Sequence, residues 1–373
     1  MDGIVRTEAP ATVRGVGFGS RATLVAALAW VRSHTGPLPN EAVPAHLALG
    51  RVLTSAPAGL PWPPTDCAAL DGYAVRANDT EGASDYNPLP LPDAKPIASG
   101  QPMPPGTDAV APFPAIARHG PLPHAVTPVA RGAGVDRRGT AIAPPLGLVR
   151  PEGAAVLALL GLTTVQAVRR PRVALVVAGP KSGPDVLTPL LTLLVTRDGG
   201  LPAAVPSPAE APAGTDLLLL AGRTGCGLDD DMPDRLRDAG GVLDLHGIAF
   251  RPGDTAGLGC LSGVPAILLP GAPLATLSVY EMLASPAVRR LAGLGNVPAR
   301  MTQPAVLDRK ITSLIGCTDM VRVRVQDGRA APLGPADTGS LARAAQSDGW
   351  IIIPDSQEGH PSGATVTVEC PIP

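Results

Sequence analysis

Two aspartates, Asp66 and Asp71, flank a turn of small residues (Cys67, Ala68, Ala69), and Gly72 follows directly after the second. Two carboxylates on a tight glycine-containing loop could hold a magnesium ion or organise a water for proton transfer. Turn aspartates more commonly cap backbone N–H groups, and the spacing by itself favours that reading. A second candidate, Gly222-Arg223-Thr224-Gly225-Cys226-Gly227, closes an apolar run and precedes Leu228-Asp229-Asp230-Asp231. A glycine-rich strand-to-helix loop lets backbone N–H groups approach a phosphate, aided by the helix N-terminus. The loop is neither G-x-G-x-x-G nor a Walker sequence. The three adjacent aspartates could ligate a metal, although they equally suit the first turn of a helix. Arg251-Pro252-Gly253-Asp254 places an arginine on a turn, where it could grip an oxyanion or stay solvated. The six histidines are scattered, without metal-ligand or triad spacing. Cys67 and Cys226 lie in candidate loops but have no basic neighbour in sequence to activate a thiolate.

Positioning such loops takes more than one core. A chain of 373 residues exceeds the size of one ordinary domain. Hydrophobic residues make up 45% but aromatics only 2%, so Ala, Val and Leu must do the packing. The 43 glycines and 45 prolines punctuate apolar runs and form no tract, which indicates a loop-rich globular protein. A net charge of -2, with no basic block, argues against a nucleic-acid partner. The apolar runs are too short to span a bilayer, and the N-terminus lacks a secretory core, so no membrane role and a cytoplasmic location are expected. Five dispersed cysteines without a C-x-x-C pair argue against a disulfide framework or a structural zinc site.

Along the chain, Ser20 is expected to cap a helix with Leu24, Ala27, Leu28 and Val31 on one face, stopped by Gly36 and Pro37. Residues 71 to 130 are proline-rich and strand-like, with turns near Asn78-Asp79 and Pro104-Pro105-Gly106. Residues 154 to 168 pass from a short helix to a strand. Buried-type strands are then expected at Arg172–Ala178, Asp216–Leu220 and Pro265–Leu269. A helix should run from about 185 to 197, and another from Pro273 to about Leu291. Alternating strands and helices imply a parallel sheet covered on both faces. Ligands of such sheets bind beyond the carboxyl ends of the strands, here Gly179 to Gly183, Gly222 to Asp231, and Gly271. From residue 301 an alternating pattern (Val321, Val323, Val325, then 365 to 370) predicts a small β-barrel or sandwich.

In this order the segments resemble the MoeA family and the gephyrin E domain. Pro64 to Arg76 (PTDCAALDGYAVR) is similar to the family's most specific stretch, usually Asp-Asn-Ser-Ala-Met-Asp-Gly-Tyr-Ala. Ala48 to Leu53, Pro102 to Pro112, Pro252-Gly253, and Leu269 to Pro273 resemble further family segments. Gly339-Ser340-Leu341, Asp348-Gly349 and Glu358-Gly359 resemble its C-terminal domain. The resemblance implies an elongated homodimer of α/β plus β class. Its parts would be an elongated linker domain (residues 1–55 and 131–168), a β-rich domain (56–130), a doubly wound three-layer α/β molybdopterin-binding domain (169–298) and a C-terminal small β-barrel (299–373). It further implies a molybdopterin molybdenumtransferase that takes adenylylated molybdopterin and molybdate as substrates, uses Mg²⁺, and releases AMP. The site would lie between one subunit's α/β domain and the other's β-rich domain.

Carried over by position, Asp71 and Asp230 (with Asp229 or Asp231 as alternatives in register) are the implied catalytic acids. Asp66 joins them as an implied metal ligand. Ser99, Gly222, Gly225, Arg251, Gly271 and Ser340 are the implied substrate-binding residues. Several loops depart from the family pattern. The T-G-D-E-L loop is Ala178-Gly179-Pro180-Lys181-Ser182, and R-x-x-G-E-D is Arg137-Arg138-Gly139-Thr140-Ala141, so four acids are lost. The second basic residue of P-G-K-P is Asp254, and the asparagine of L-P-G-N-P is Ala272. Two readings follow: a divergent transferase, or a catalytically impaired paralogue that binds molybdopterin, a molybdoenzyme or another protein of the same pathway.

Overall fold

The structure, a computed structural model, describes residues 13–55, 60–119, 122–139, 141–142, 146–179, 183–336 and 340–372. The chain divides into two compact units: Val43–Leu49 with Ser55–Val165, and Met1–Ala42 with Gly50–Thr54 and Gln166–Pro373.

The first of these is built on short antiparallel strands. Strands β1 (Gly72–Val75), β2 (Lys95–Ile97) and β3 (Ala109–Pro112) form a sheet in the order β2-β1-β3. Alternate residues serve two cores. Tyr73, Val75, Ala109 and Ala111 pack on one face, and Ala74, Ile97 and Val110 on the other. Gly72 has no room for a side chain, because a Cβ there would stand 2.2 Å from the Ala111 carbonyl oxygen. The glycine after Asp71 is therefore set by strand pairing. Pro151 opens the unit's helix, Pro151–Leu159, at a position whose missing N–H costs nothing.

The second unit contains a three-layer α/β fold. Strands β4 (Arg172–Val177), β5 (Leu201–Ala204), β6 (Leu217–Ala221), β7 (Val242–His246), β8 (Gly257–Leu261) and β9 (Val264–Leu269) form one sheet in the order β5-β4-β6-β9-β8-β7. The first four are parallel, β8 runs antiparallel to β9, and β7 pairs antiparallel with β8 and so points the same way as the first four. The three strands expected to be parallel are so, and an antiparallel extension is added at one edge. Strand β5 carries Pro202 and lies at an edge, where a proline is tolerated. Strand β8 carries two glycines, one of which (Gly259) sits where a Cβ would come within 2.1 Å of the Val242 carbonyl. Both composition and length hid these strands.

Continuous apolar runs place neighbouring residues on opposite faces, and both faces are covered. Leu175, Leu217, Leu219 and Ile267 join one core with the helix Leu24–His34, while Val176, Leu218, Leu220 and Leu268 join Met232 and Leu236 in another. The first helix presents Leu24, Ala27 and Val31 to its core as expected. Its cap is Thr23, whose hydroxyl accepts the Ala26 N–H at 3.1 Å, and not Ser20.

The helix expected from Pro273 to Leu291 is interrupted. Pro273–Val279 and Ser285–Leu291 are α-helical, and Tyr280–Ala284 forms a π turn in which the Ser285 N–H reaches the Tyr280 carbonyl. Pro286 lacks the N–H that an uninterrupted helix needs, and a wider turn accommodates it. Glu281, buried in that turn, accepts from Arg197 at 2.8 Å, and the Tyr280 hydroxyl donates to Asp198 at 3.0 Å. Burial and the Asp198 carboxylate push the Tyr280 hydroxyl pKa up, so it stays protonated.

Toward the C-terminus, strands Arg300–Leu307, Thr318–Gln326, Arg329–Pro332, Gly349–Ile353 and Thr365–Pro371 pair in a closed ring. Leu307, Val321, Val323, Ile351 and Val368 fill it. The expected small barrel is present. Arg322, between the two inward valines, is buried against the ring of Trp350, and burial lowers its pKa to about 10.

Candidate functional site

The order β5-β4-β6 reverses the direction of winding at β4, because the connection to β5 goes one way and the connection to β6 the other. Such a switch point leaves a crevice beyond the carboxyl ends of the strands. A cavity of about 630 Å³ lies there, bordered by Ala178 and Gly179 after β4, Gly222 to Gly225 after β6, and Pro270 to Pro273 after β9. Gly253, Asp254 and Thr255 border it as well. Its volume suits a substrate of cofactor size.

The glycines here are required by close approach. Gly222 has φ +85°, and a Cβ would stand 3.2 Å from the Ala178 Cβ. A Cβ on Gly271 would meet the Gly222 Cα at 3.3 Å, so the turns after β6 and β9 touch through backbone. Arg223 follows in the left-handed region at φ 55°, a conformation that costs a non-glycine residue roughly 1 kcal/mol. Its guanidinium lies 3.7 Å from Asp231.

Asp230 folds the glycine-rich loop back on itself. Its Oδ2 accepts the Gly227 N–H at 2.7 Å, and a Cβ on Gly225 would come within 2.7 Å of the same oxygen. The Arg14 guanidinium donates to the Asp230 carbonyl at 3.2 Å and pairs with Asp234. Beneath the loop, His246 Nε2 donates to the Thr224 carbonyl at 2.8 Å, and the ring of Phe18 meets it edge-on. Burial, reinforced by Arg237, lowers the His246 pKa, so its imidazole is neutral at pH 7. The Thr224 and Thr255 hydroxyls lie 3.2 Å apart and link two loops at the cavity wall.

Three carboxylates border the cavity. Asp185 caps the helix Leu187–Arg197 through the N–H groups of Leu187 and Thr188. The Thr188 hydroxyl, with those two donors, holds its pKa below the usual carboxylate value. Asp254 pairs with Arg21 at 2.8 Å, and Asp230 is held as described. Among the described residues these carboxylates form no cluster of three converging ligand atoms.

The loops expected after β4, β6 and β9 thus meet at one cavity, and Gly222, Gly225, Asp230 and Gly271 all border it. Sequence reasoning did not select Thr224, Asp185 or Thr255. The first lies inside the glycine-rich loop and the third follows the Pro252-Gly253 turn, so proximity to those segments was the available signal. Arg251 is not at the cavity wall. It grips Asp319 in a two-pronged pair (2.8 and 2.6 Å), and Asp319 also accepts from Ser313 at 2.8 Å. Ser340 precedes the short helix Leu341–Ala345 and makes no side-chain cap bond.

Asp66 and Asp71 belong to the other unit. Asp71 Oδ1 accepts the Ser99 N–H at 2.8 Å, while the Ser99 hydroxyl donates to the Ala69 carbonyl at 3.3 Å. Asp66 Oδ1 accepts the Arg138 N–H at 2.7 Å. Both aspartates are exposed and both cap backbone, and Asp71 and Ser99 are brought together. Lys181, Ser182 and Gly339, named in the sequence comparison above, lie outside the described residues.

Comparison with known proteins gives a consistent result. Residues 22–160 match the MoeA N-terminal region (domain I and II), and residues 304–370 match the MoeA C-terminal region (domain IV). Molybdopterin molybdenumtransferase 2 of Mycobacterium tuberculosis is 29% identical over 353 residues, covering 80% of this chain and 86% of that protein. A putative molybdopterin biosynthesis protein of Methanocaldococcus jannaschii is 31% identical over 153 residues, 41% of this chain and 36% of that one. Among solved structures, a molybdopterin biosynthesis MoeA protein of Pyrococcus horikoshii superposes with a TM-score of 0.74 at 22% identity, covering 94% of this chain and all of that one.

Proposed function

Since the chain belongs to the MoeA family, we propose that it is a molybdopterin molybdenumtransferase of molybdenum cofactor biosynthesis, with molybdopterin, carried as its adenylate, seated in the switch-point cavity. The observation that carries this reading is the backbone-lined wall formed by Gly222, Gly225 and Gly271. Side chains there would press on Ala178, Asp230 and the neighbouring turn, whereas their absence lets an anionic group approach the main chain closely. Chelation of a phosphate by peptide N–H groups is independent of side-chain charge. That independence fits a loop whose neighbouring acids have changed.

In this proposal Asp230 acts by shape. Its bond to Gly227 N–H keeps the loop turned, and the Thr224–Thr255 hydroxyl pair fixes the neighbouring wall. Neutral His246 supports the Thr224 carbonyl from below without adding charge. Asp71 and Ser99 are assigned to the same reaction on the strength of the family resemblance, Asp71 as the acid and Ser99 as a substrate contact. The residues at the cavity do not make a magnesium cage, because Asp185 and Asp230 bind backbone and Asp254 binds Arg21. Assembly as a homodimer belongs to the same proposal. No helix among the described residues is long and apolar enough to cross a membrane.

The test is AMP release from adenylylated molybdopterin by the purified protein, with and without molybdate. Molybdate-dependent release that is lost in Asp71→Ala supports the transferase. Tight binding of the pterin without AMP release would support the binding-only paralogue instead.

A further inference from the structure

Away from the cavity, three side chains of different chemistry meet at the edge of the α/β sheet. They are His34 on the last turn of the helix Leu24–His34, Asp244 on β7 and Cys260 on β8, and their ligand atoms all lie within 4.8 Å of one another. His34 and Asp244 are exposed, and Cys260 is half-buried. Bonds of about 2.0–2.3 Å in a tetrahedron put ligand atoms roughly 3.5 Å apart. Side-chain rotation on the order of 1 Å therefore closes the set.

Surrounding contacts orient the histidine and the carboxylate. His34 Nδ1 is 2.9 Å from the Trp30 carbonyl, to which it can only donate. That bond leaves the lone pair on Nε2, the tautomer in which ligating histidines are characteristically held. The Trp30 ring stacks on the imidazole at 4.0 Å and 15°, and its Nε1 donates to Asp244 Oδ2 at 2.9 Å. One tryptophan thus fixes both the histidine and the carboxylate. The β7–β8 register slips between Leu243 and Leu245, so Asp244 is the bulged residue. Bulges re-aim a side chain out of the strand's regular alternation.

We propose that His34, Asp244 and Cys260 form a binding site for a zinc-class divalent cation, with water completing a tetrahedron. A sulfur, an imidazole nitrogen and a carboxylate oxygen suit borderline-soft Zn²⁺ better than Mg²⁺ or Ca²⁺, which take oxygen alone. The ion would staple the C-terminal end of the first helix to the antiparallel edge of the sheet. Sequence spacing could not reveal it, because the ligands come from a helix and two later strands with no short repeat between them. The site is independent of the transferase reading.

The experiment titrates the chelator-stripped full-length protein with Co²⁺ as a spectroscopic probe, then with Zn²⁺ in competition. One equivalent should bind, with a thiolate-to-cobalt charge-transfer band that disappears in Cys260→Ser. His34→Ala and Asp244→Asn should each weaken binding by about 10-fold or more, and Trp30→Phe by about 10-fold, with unchanged far-UV circular dichroism. Zn²⁺ should raise the thermal midpoint of the wild-type protein and leave that of Cys260→Ser unchanged. Absence of saturable binding would overturn the proposal. So would a thiolate band that persists in Cys260→Ser, which would place the metal on Cys67, Cys226, Cys317 or Cys370.

Discussion

Gly222 and Asp230 perform opposite tasks in one loop: the glycine keeps a wall open and the aspartate holds it in shape. Gly222→Ala adds a Cβ at φ +85° and 3.2 Å from the Ala178 Cβ. It should cost about 1–2 kcal/mol in urea unfolding and weaken pterin binding by at least about tenfold, read by calorimetric titration. Asp230→Asn keeps an acceptor for the Gly227 N–H, whereas Asp230→Ala does not. The asparagine variant should retain AMP release within about threefold, and the alanine variant should lose about tenfold with about 1 kcal/mol of stability. An asparagine variant as inactive as the alanine one would assign Asp230 a direct chemical role. His246 makes a prediction about pH. Burial lowers its folded-state pKa, so below the ordinary histidine value of 6.5 the unfolded chain binds the proton more readily. Stability should therefore fall as pH drops through that value, and His246→Gln should flatten the slope, measured as unfolding free energy between pH 7 and 5. At this scale the sequence showed where chemistry could sit but not how each residue is engaged. Arg251 looked like an oxyanion grip, yet the structure pairs it with Asp319, a partner contributed by a strand far along the chain.

Elements were legible where their periodicity was unambiguous. The runs at Arg172–Val177, Leu217–Ala221 and Val264–Leu269 are long, apolar and ended by glycine or proline, and their carboxyl ends converge as the winding rule requires. Strands β5 and β8 escaped notice because proline and glycine, which normally argue against strand, are accommodated at an edge and at a crowded backbone contact. The π turn was also hidden, since the apolar pattern from Pro273 to about Leu291 runs on through Pro286 as one helix, whereas the proline is accommodated by a wider turn. That turn buries Glu281 against Arg197, and Glu281→Ala should destabilise by about 3 kcal/mol because Arg197 loses one of its two carboxylate partners among the described residues. Leu219→Ala, in the fully buried middle of β6, should cost about 3 kcal/mol by leaving a cavity. Equilibrium urea unfolding measures both.

For the whole molecule, a small-residue composition is reconciled with stable cores by sheet packing. Alanines and valines fill the narrow spaces between closely paired strands, and leucines fill both faces of the α/β sheet. The same economy of side chains lets backbone line the cavity. Family, fold class and the C-terminal barrel were therefore readable from ordered segments, whereas site contacts such as Asp254 with Arg21 and Thr224 with His246 join residues far apart in the chain. In the function proposed above, the switch-point cavity supports molybdenum transfer. Its most direct test is single-turnover AMP release from adenylylated molybdopterin, comparing the wild-type protein with Gly222→Ala. Molybdate-dependent release is expected from the wild type, with at least about a tenfold loss when the cavity wall carries a methyl group. Equal release by the two proteins, or pterin binding with no release from either, would contradict it.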